Sequence, residues 1–282
     1  MKVLKFGGKS LSNGEGLNKV ITIITDKVNQ GEEIAIVVSA RGNATDELEE
    51  ILGIAAINGN YKPLFEDFKT YQQSDFAEVD LSKEFNVLEK LFEGVSLIGD
   101  YSKKIKDQIL SKGELISAKL LTAILIKNGV NAKFADSREL IKTDSKFGDA
   151  QPLEQISKKN MIQFFKQNNE TVNIITGFIG SNTNNDTTTL GRNGSNYTAS
   201  LIANYLDAEE LQNYTHVDGI YTANPELVTD AKKIDFLSFN EANEIANFGA
   251  TILHAKTIIP LLEKNIPLRI LNTFNHENKG TL

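Results

Sequence analysis

Residues 187–200 read TTTLGRNGSNYTAS. Thr187, Thr188, Thr189 and Leu190 have strand character, and Gly191 to Asn196 form a polar glycine turn. Tyr197, Ala199, Leu201, Ile202 and Tyr205 then repeat at helical spacing. Strand, glycine turn and helix start together make the geometry in which backbone N–H groups point outward at an anion. Ser195 is expected to cap the helix. Arg192 adds a forked guanidinium suited to a carboxylate or a phosphate. Taken alone, the segment fits a tight turn with a capped helix equally well, so its meaning depends on the rest of the chain.

The same kind of unit recurs. Residues 3–6 are expected to be a short buried strand ending in Gly7-Gly8. Leu17, Val20, Ile21, Ile24 and Val28 place a helix over 13–29, and 34–39 is a continuous apolar strand ending in Ser39-Ala40-Arg41-Gly42. Two strand–loop–helix units in succession predict a parallel sheet with crossover helices. The KFGGKS loop lacks the glycine that a P-loop needs at Val3. Residues 46–128 are helical in pattern, an excursion packed on one side of the sheet. In its last helix, over 102–126, Gly113 marks a break or a close approach. Glu114 beside it either faces a ligand amine or is a solvated helix acid.

Further strands are expected over 132–135 and 171–176, the second ending in Gly177-Phe178-Ile179-Gly180. Pro152 opens a helix over 153–167, and residues 181–186 are a polar hairpin turn. A weaker strand over 211–217 runs into a turn-rich loop at 218–225. Helices over 240–247 and 252–264, the latter bent near Pro260, precede a closing strand over 266–271.

The 282-residue chain carries a formal net charge of −7 and no cysteine. The acidic balance argues against a nucleic-acid or anionic-membrane partner, and the missing cysteines exclude thiolate chemistry. His216, His254 and His276 show no metal-ligand spacing. No apolar run approaches the roughly 20 residues of a membrane span. MKVLKFGG carries no signal region, so a cytoplasmic location is expected. Anion-handling side chains gather on the loops: Lys5, Lys9, Ser39, Thr45, Arg192 and Ser195. Burying an unpartnered ammonium costs several kcal/mol, so Lys5 is expected to project toward the carboxyl end of its strand, where ligands sit. With no histidine base and no metal cluster, the set suits phosphoryl transfer. A carboxylate acceptor, already ionised at neutral pH, needs no general base.

In order along the chain stand Lys5-Phe6-Gly7-Gly8-x-Ser10, Val37-Val38-Ser39-Ala40, Ser111-x-Gly113-Glu114 and Gly177-Phe178-Ile179-Gly180. Thr188-Thr189-Leu190-Gly191-Arg192-x-Gly194-Ser195, Val217-Asp218-Gly219-Ile220-Tyr221-Thr222 and Phe248-Gly249-Ala250 follow. Over Met1 to Leu282 this set resembles the aspartokinase catalytic domain of the amino-acid-kinase family, most of all the kinase half of bifunctional aspartokinase–homoserine dehydrogenases. The resemblance implies an α/β fold, a three-layer αβα sandwich with a mostly parallel central sheet. It implies one domain over 1–282, with an amino-acid-binding half over roughly 1–170 and a nucleotide-binding half over roughly 171–282. It further implies phosphoryl transfer from ATP with Mg²⁺ to L-aspartate, giving 4-phospho-L-aspartate, the first step of the Lys/Thr/Met pathway. No metal ligand would come from the protein. A homodimer, and C-terminal ACT and homoserine dehydrogenase domains absent from this chain, are implied as well.

By position, Lys5 would steady the transferring phosphoryl group, and Gly7, Gly8 and Ser10 would form the phosphate loop. Glu114 would take the substrate amine, Arg192 and Ser195 its carboxylates, with Ser39 and Thr45 in the same pocket. Thr215, His216, Gly219 and Tyr221 would meet the nucleotide. The chain departs from the family pattern at Lys9, Asn196, Thr215-His216, Asn224-Pro225-Glu226 and Thr251. The family has Thr, Asp, Thr-Asp, Asp-Pro-Arg and Lys at those places. Asn196 lacks a carboxylate that would orient Lys5, and Thr251 lacks a cation that would meet ATP phosphates. Two readings stay open. One is a working kinase in which Lys9 supplies the missing cation. The other is a catalytically degenerate domain serving as a scaffold or an amino-acid-binding regulatory module. The Ser-x-Gly-Glu helix and the long excursion argue against an acetylglutamate or uridylate kinase.

Overall fold

Apolar runs too short for helices, each closed by a glycine turn, build the centre of the molecule. The computed structural model describes every residue except 75–77, 226, 248–253 and 276, and leaves aside the side chains of 246 and 247. The strands are β1 (Lys2–Phe6), β2 (Ile34–Val38), β3 (Ala132–Ala135), β4 (Lys142–Thr143), β5 (Val172–Thr176) and β6 (Ile179–Asn182). They continue with β7 (Thr187–Thr189), β8 (Glu210–Thr215), β9 (Ile220–Tyr221), β10 (Lys233–Ile234) and β11 (Leu268–Asn272). The central sheet runs β11-β8-β1-β2-β5-β3, and every pair in it is parallel. Strands buried on both faces read as unbroken apolar runs, and β2 is buried at every position.

Helices cover both faces. α1 (Glu15–Asn29) and α5 (Lys103–Lys127) pack on one side, where Leu17, Val20, Leu121 and Leu125 meet Leu4, Phe6 and Ile36. On the other side α7 (Glu154–Gln167), α8 (Gly194–Tyr205) and α10 (Ala255–Leu262) bring Met161, Ile202 and Leu261 against Val3, Val37 and Leu211. The result is the expected three-layer sandwich. The helical excursion is real: α2 (Ala44–Ala56), α3 (Lys62–Gln73) and α4 (Ser82–Ile98) share a separate core with the first half of α5. The chain also forms α6 (Ser137–Leu140) and α9 (Phe239–Asn247). Among the described residues no helix is long and apolar enough to cross a membrane.

Several expectations change. α5 runs unbroken through Gly113, capped by Ser102 at Ile105 N. The glycine is there for a close approach, since a Cβ on it would stand 2.7 Å from the Cβ of Ala40. Ser195 does not cap α8. The helix begins at Gly194, after Asn193 in the left-handed region at φ 56°. Tertiary contact sets that start: a Cβ on Gly194 would lie 2.6 Å from the Phe178 ring, and one on Gly177 2.6 Å from Ser195 Cβ. β6 and β7 form the expected hairpin, joined by the unforeseen β4 in a small second sheet. β9 and β10 pair within the loop after β8. Phe248-Gly249-Ala250, Thr251, Glu226 and the first residues of the expected 252–264 helix lie outside the described residues.

The loops after the parallel strands meet at one edge of the sheet. Gly7 N donates to Tyr214 O at 3.3 Å, Ser39 N to Phe6 O at 3.1 Å, Gly42 N to Gly8 O at 3.0 Å and Gly177 N to Val38 O at 2.8 Å. At Gly8 the approach is so close that a Cβ would fall 2.6 Å from Gly42 O.

Candidate active site

At this edge lies a cavity of about 750 Å³. Lys5 and Glu114 line it together with Ser39, Thr45, Ser195 and Asn196, and Arg192 stands on its wall. Seven of the site residues expected from sequence are thus brought together, from β1, the β2 loop, α2, α5 and the β7–α8 turn.

Lys5 sits among Val3, Leu4 and Phe6, all fully buried. Its ammonium turns over the glycine loop, 3.4 Å from where a Cβ on Gly7 would be. Burial pushes its pKa down to about 8, against the pull of Glu114. Glu114 is 3% exposed, so it is not a solvated helix acid. Its Oε1 accepts from Ala40 N at 3.2 Å, while Oε2 is buried with no partner. Burial pushes its pKa up to about 8; the bond from Ala40 N, and more weakly Lys5, oppose that rise. Desolvation penalises the charged form of both groups. Each is held short of full charge stabilisation until something charged enters.

The walls are pinned from a distance. Asp107 accepts from Gly148 N, Thr189 N and Thr189 Oγ1, each at 2.9 Å. This ties α5 to β7 and to the loop at 144–151. Lys256 of α10 pairs with Asp149 and donates to Leu190 O at 3.2 Å. Arg192 is exposed on its turn, and among the described residues no carboxylate lies within ion-pair distance of it. Asn196 is buried, its Oδ1 without a partner. Sequence reasoning missed Asp107, Asp149 and Lys256, as well as the cavity lysines Lys103, Lys106 and Lys146. Each reads locally as a solvated charge, and the partners of Asp107, Lys106 and Lys256 are distant in sequence.

The nucleotide-side residues are not gathered into this cavity. Lys9 is exposed and outside it. Ser10 points inward and its hydroxyl accepts from Thr273 Oγ1 at 2.7 Å. Thr215 Oγ1 lies 3.3 Å from His216 Nδ1 at the end of β8. Gly219 is pressed against Thr281, whose Oγ1 would be 2.4 Å from a Cβ there. Tyr221 belongs to β9, and Thr251 is outside the described residues. Among the described residues no group of three acids or histidines is placed to hold a metal ion.

Residues 1–272 match the amino acid kinase family. Lysine-sensitive aspartokinase 3 of Escherichia coli (strain K12) is 33% identical over 292 residues, covering 99% of this chain and 63% of its own length. The bifunctional aspartokinase/homoserine dehydrogenase of Buchnera aphidicola subsp. Acyrthosiphon pisum is 33% identical over 298 residues, covering 100% of this chain and 36% of its own length. The crystal structure of E. coli aspartokinase III in complex with aspartate and ADP superposes with a TM-score of 0.90 at 31% identity, over 100% of this chain and 64% of that one. The chain therefore spans less than two thirds of the length of these relatives.

Proposed function

The chain belongs to the amino acid kinase family, and from that membership we propose that it is an aspartate kinase domain. It would transfer the terminal phosphoryl group of MgATP to the side-chain carboxylate of L-aspartate. The carrying observation is the buried Lys5–Glu114 pair on a cavity that also presents an ion-pair-free Arg192. Glu114 Oε2 takes the substrate ammonium, and Arg192 and Ser195 take carboxylate oxygens. The side-chain carboxylate then points toward Lys5. One of its oxygens bonds to the γ-phosphorus, the bond to the β,γ-bridging oxygen breaks, and ADP leaves with those electrons. No proton has to be removed, since the acceptor is ionised at neutral pH.

Lys5 supplies positive charge to the phosphoryl oxygens in transit, the main requirement of such a reaction. The glycine loop fits a phosphate there. A Cβ at Gly7 would stand in contact with the Lys5 ammonium, 3.4 Å from it, in the space a phosphate oxygen would take. Mg²⁺ bound to the nucleotide would supply charge neutralisation at its phosphates, with few ligands asked of the protein. Thr215, His216, Gly219 and Tyr221 carry the nucleotide side of the reading, and Lys9 the cation that Thr251 does not supply. The reading includes a cytoplasmic homodimer and C-terminal ACT or homoserine dehydrogenase domains outside this chain. The aspartate- and ADP-bound relative supports it.

A hydroxamate assay with L-aspartate and MgATP, beside calorimetry with each ligand, tests the proposal. Wild-type protein is expected to turn over, and Lys5→Met to lose about a thousandfold or more in kcat, roughly 4 kcal/mol of transition-state stabilisation. Aspartate heat with no MgATP heat and no turnover would replace the kinase with the degenerate amino-acid-binding reading. Unchanged turnover in Lys9→Thr would remove Lys9 from the mechanism.

A further inference from the structure

An ammonium has three N–H groups to place. Among the described residues none of those of Lys5 meets a hydrogen-bond acceptor, and Glu114 acts on it only through its charge. Among the buried side-chain oxygens without a partner are Glu114 Oε2 and Asn196 Oδ1, both on residues that line the cavity with Lys5, and Asn213 Oδ1 on the neighbouring strand. In the reaction proposed above the substrate amine takes the first. The other two remain.

Asn213 has no place in that mechanism, yet its position is specific. It lies on β8 in register with Lys5 on β1. Register partners of a parallel pair put their side chains on the same face. That face is the one covered by α8, from which Asn196 comes. The point where a Cβ on Gly7 would sit is 3.4 Å from Lys5 Nζ and 3.8 Å from Tyr214 O, the carbonyl next after Asn213. Asn213 is 6% exposed in a layer where Leu211 and Val37 pack as core. A buried, unpartnered amide oxygen costs roughly 1–3 kcal/mol, and an apolar residue would pack there without that cost. Stability does not explain the asparagine.

We propose that Asn213 is a positioning residue for Lys5. Neither Asn213 Oδ1 nor Asn196 Oδ1 bonds to the ammonium in this structure; the two uncharged acceptors flank it and take up its N–H groups as it turns to the phosphoryl group in transit. Neutral acceptors tether the ammonium without pairing off its charge, so the charge stays available to the phosphoryl oxygens. From α5 Lys5 faces Glu114, from α8 Asn196, and from β2 the uncharged Val37. Of the charged groups along the cavity, only Glu114 bears on it. The proposal rests on the kinase reading for its purpose and on the register and the orphaned oxygens for its geometry.

The test pairs Asn213→Leu and Asn213→Asp with the wild-type protein. Nitrogen-15 NMR follows titration of the Lys5 side chain, identified by its loss in Lys5→Arg, and the hydroxamate assay follows turnover. Asn213→Leu is expected to melt at or above the wild-type temperature, to titrate Lys5 at lower pH, and to lose about tenfold in kcat, with little change in KM for aspartate. Asn213→Asp is expected to titrate Lys5 at higher pH. A Lys5 titration that is the same in wild type and both variants overturns the proposal. So does a leucine variant that loses stability while its folded fraction keeps the wild-type Lys5 titration. The NMR readout needs no turnover. A wild-type protein that fails to phosphorylate aspartate would therefore remove the kinase reading and still leave Asn213 decided by the Lys5 titration.

Discussion

Glu114 sets the pH behaviour of the site. Its free-state pKa is raised to about 8, chiefly by burial, and in the proposed reading the ligand ammonium pairs with the ionised form. Below that value each bound ligand must expel one proton. The affinity for L-aspartate is therefore expected to climb about tenfold per pH unit from roughly pH 6 toward 8 and then to level off. Lys5, lowered to about 8 by its own burial, loses charge above that point, so turnover should peak near pH 8 and fall beyond it. Calorimetry across the range checks the slope, and Glu114→Gln should abolish it. The same shift has a stability sign. A carboxyl whose folded pKa is raised favours folding in its protonated form, an advantage fully present below the unfolded value near 4.5 and lost as pH rises through 8. Glu114→Gln should thus be more resistant to denaturant than wild type at pH 8 and indistinguishable from it at pH 4. A flat binding profile in the wild-type protein would show that the cavity does not take its ligand's amine on Glu114.

Among the elements, α5 is where propensity and packing oppose each other. Alanine at 113 would gain about 1 kcal/mol of helix propensity. Its Cβ would also meet Ala40 Cβ at 2.7 Å, and overpacking of that kind costs roughly 1–3 kcal/mol. The clash outweighs the gain in propensity, and Ala40 carries the N–H that holds Glu114. Gly113→Ala is expected to lose up to about 2 kcal/mol in urea unfolding and to bind aspartate more weakly. Adding Ala40→Gly should recover most of both; failure of the second change to rescue would place the defect elsewhere. The sequence makes β1, β2 and β5 legible because strands buried on both faces leave unbroken apolar runs, and their glycine loops mark the site's edge. It hides β4, β9 and β10 because two-residue strands carry no period. Ser195 looks like a cap since cap preference is local, whereas α8 starts where Gly194 meets Phe178. Nor does any local pattern announce that Thr273, at the far end of the chain, donates to the Ser10 hydroxyl. Asp107 carries no local sign of clamping strands that lie dozens of residues away.

Across the whole molecule, the cavity's width depends on how the C-terminal half meets the loop at 144–151, and Lys256 holds that junction. Its ammonium pairs with Asp149 and donates to Leu190 O at 3.2 Å. Lys146 adds to Asp149 at 3.1 Å. These bonds, that of Lys256 foremost, hold the Asp149 carboxyl below its ordinary range. Asp149 in turn packs on Gly191, where φ is +76° and a Cβ would fall 2.6 Å from Asp149 Oδ1. Lys256 thereby fixes the turn that presents Arg192 against the opposite wall. The Asp149 side chain is 44% exposed, and pairs that open to water are worth about 0–1 kcal/mol. Lys256→Met should therefore change unfolding stability by less than about 1 kcal/mol. A loosened wall misplaces the substrate more than it unfolds the protein, so KM for aspartate is expected to rise about tenfold with kcat nearly unchanged. Lys256→Arg should restore most of the affinity. Because screening at about 1 M salt contracts the range of exposed charges to roughly 3 Å, high salt should weaken aspartate binding more in the wild type than in Lys256→Met, where only the ligand's own charged contacts remain to be screened. Steady-state kinetics at low and high salt decide the matter. A KM that ignores both the substitution and the salt would mean that the halves are set by the apolar packing of α8 and α10 alone.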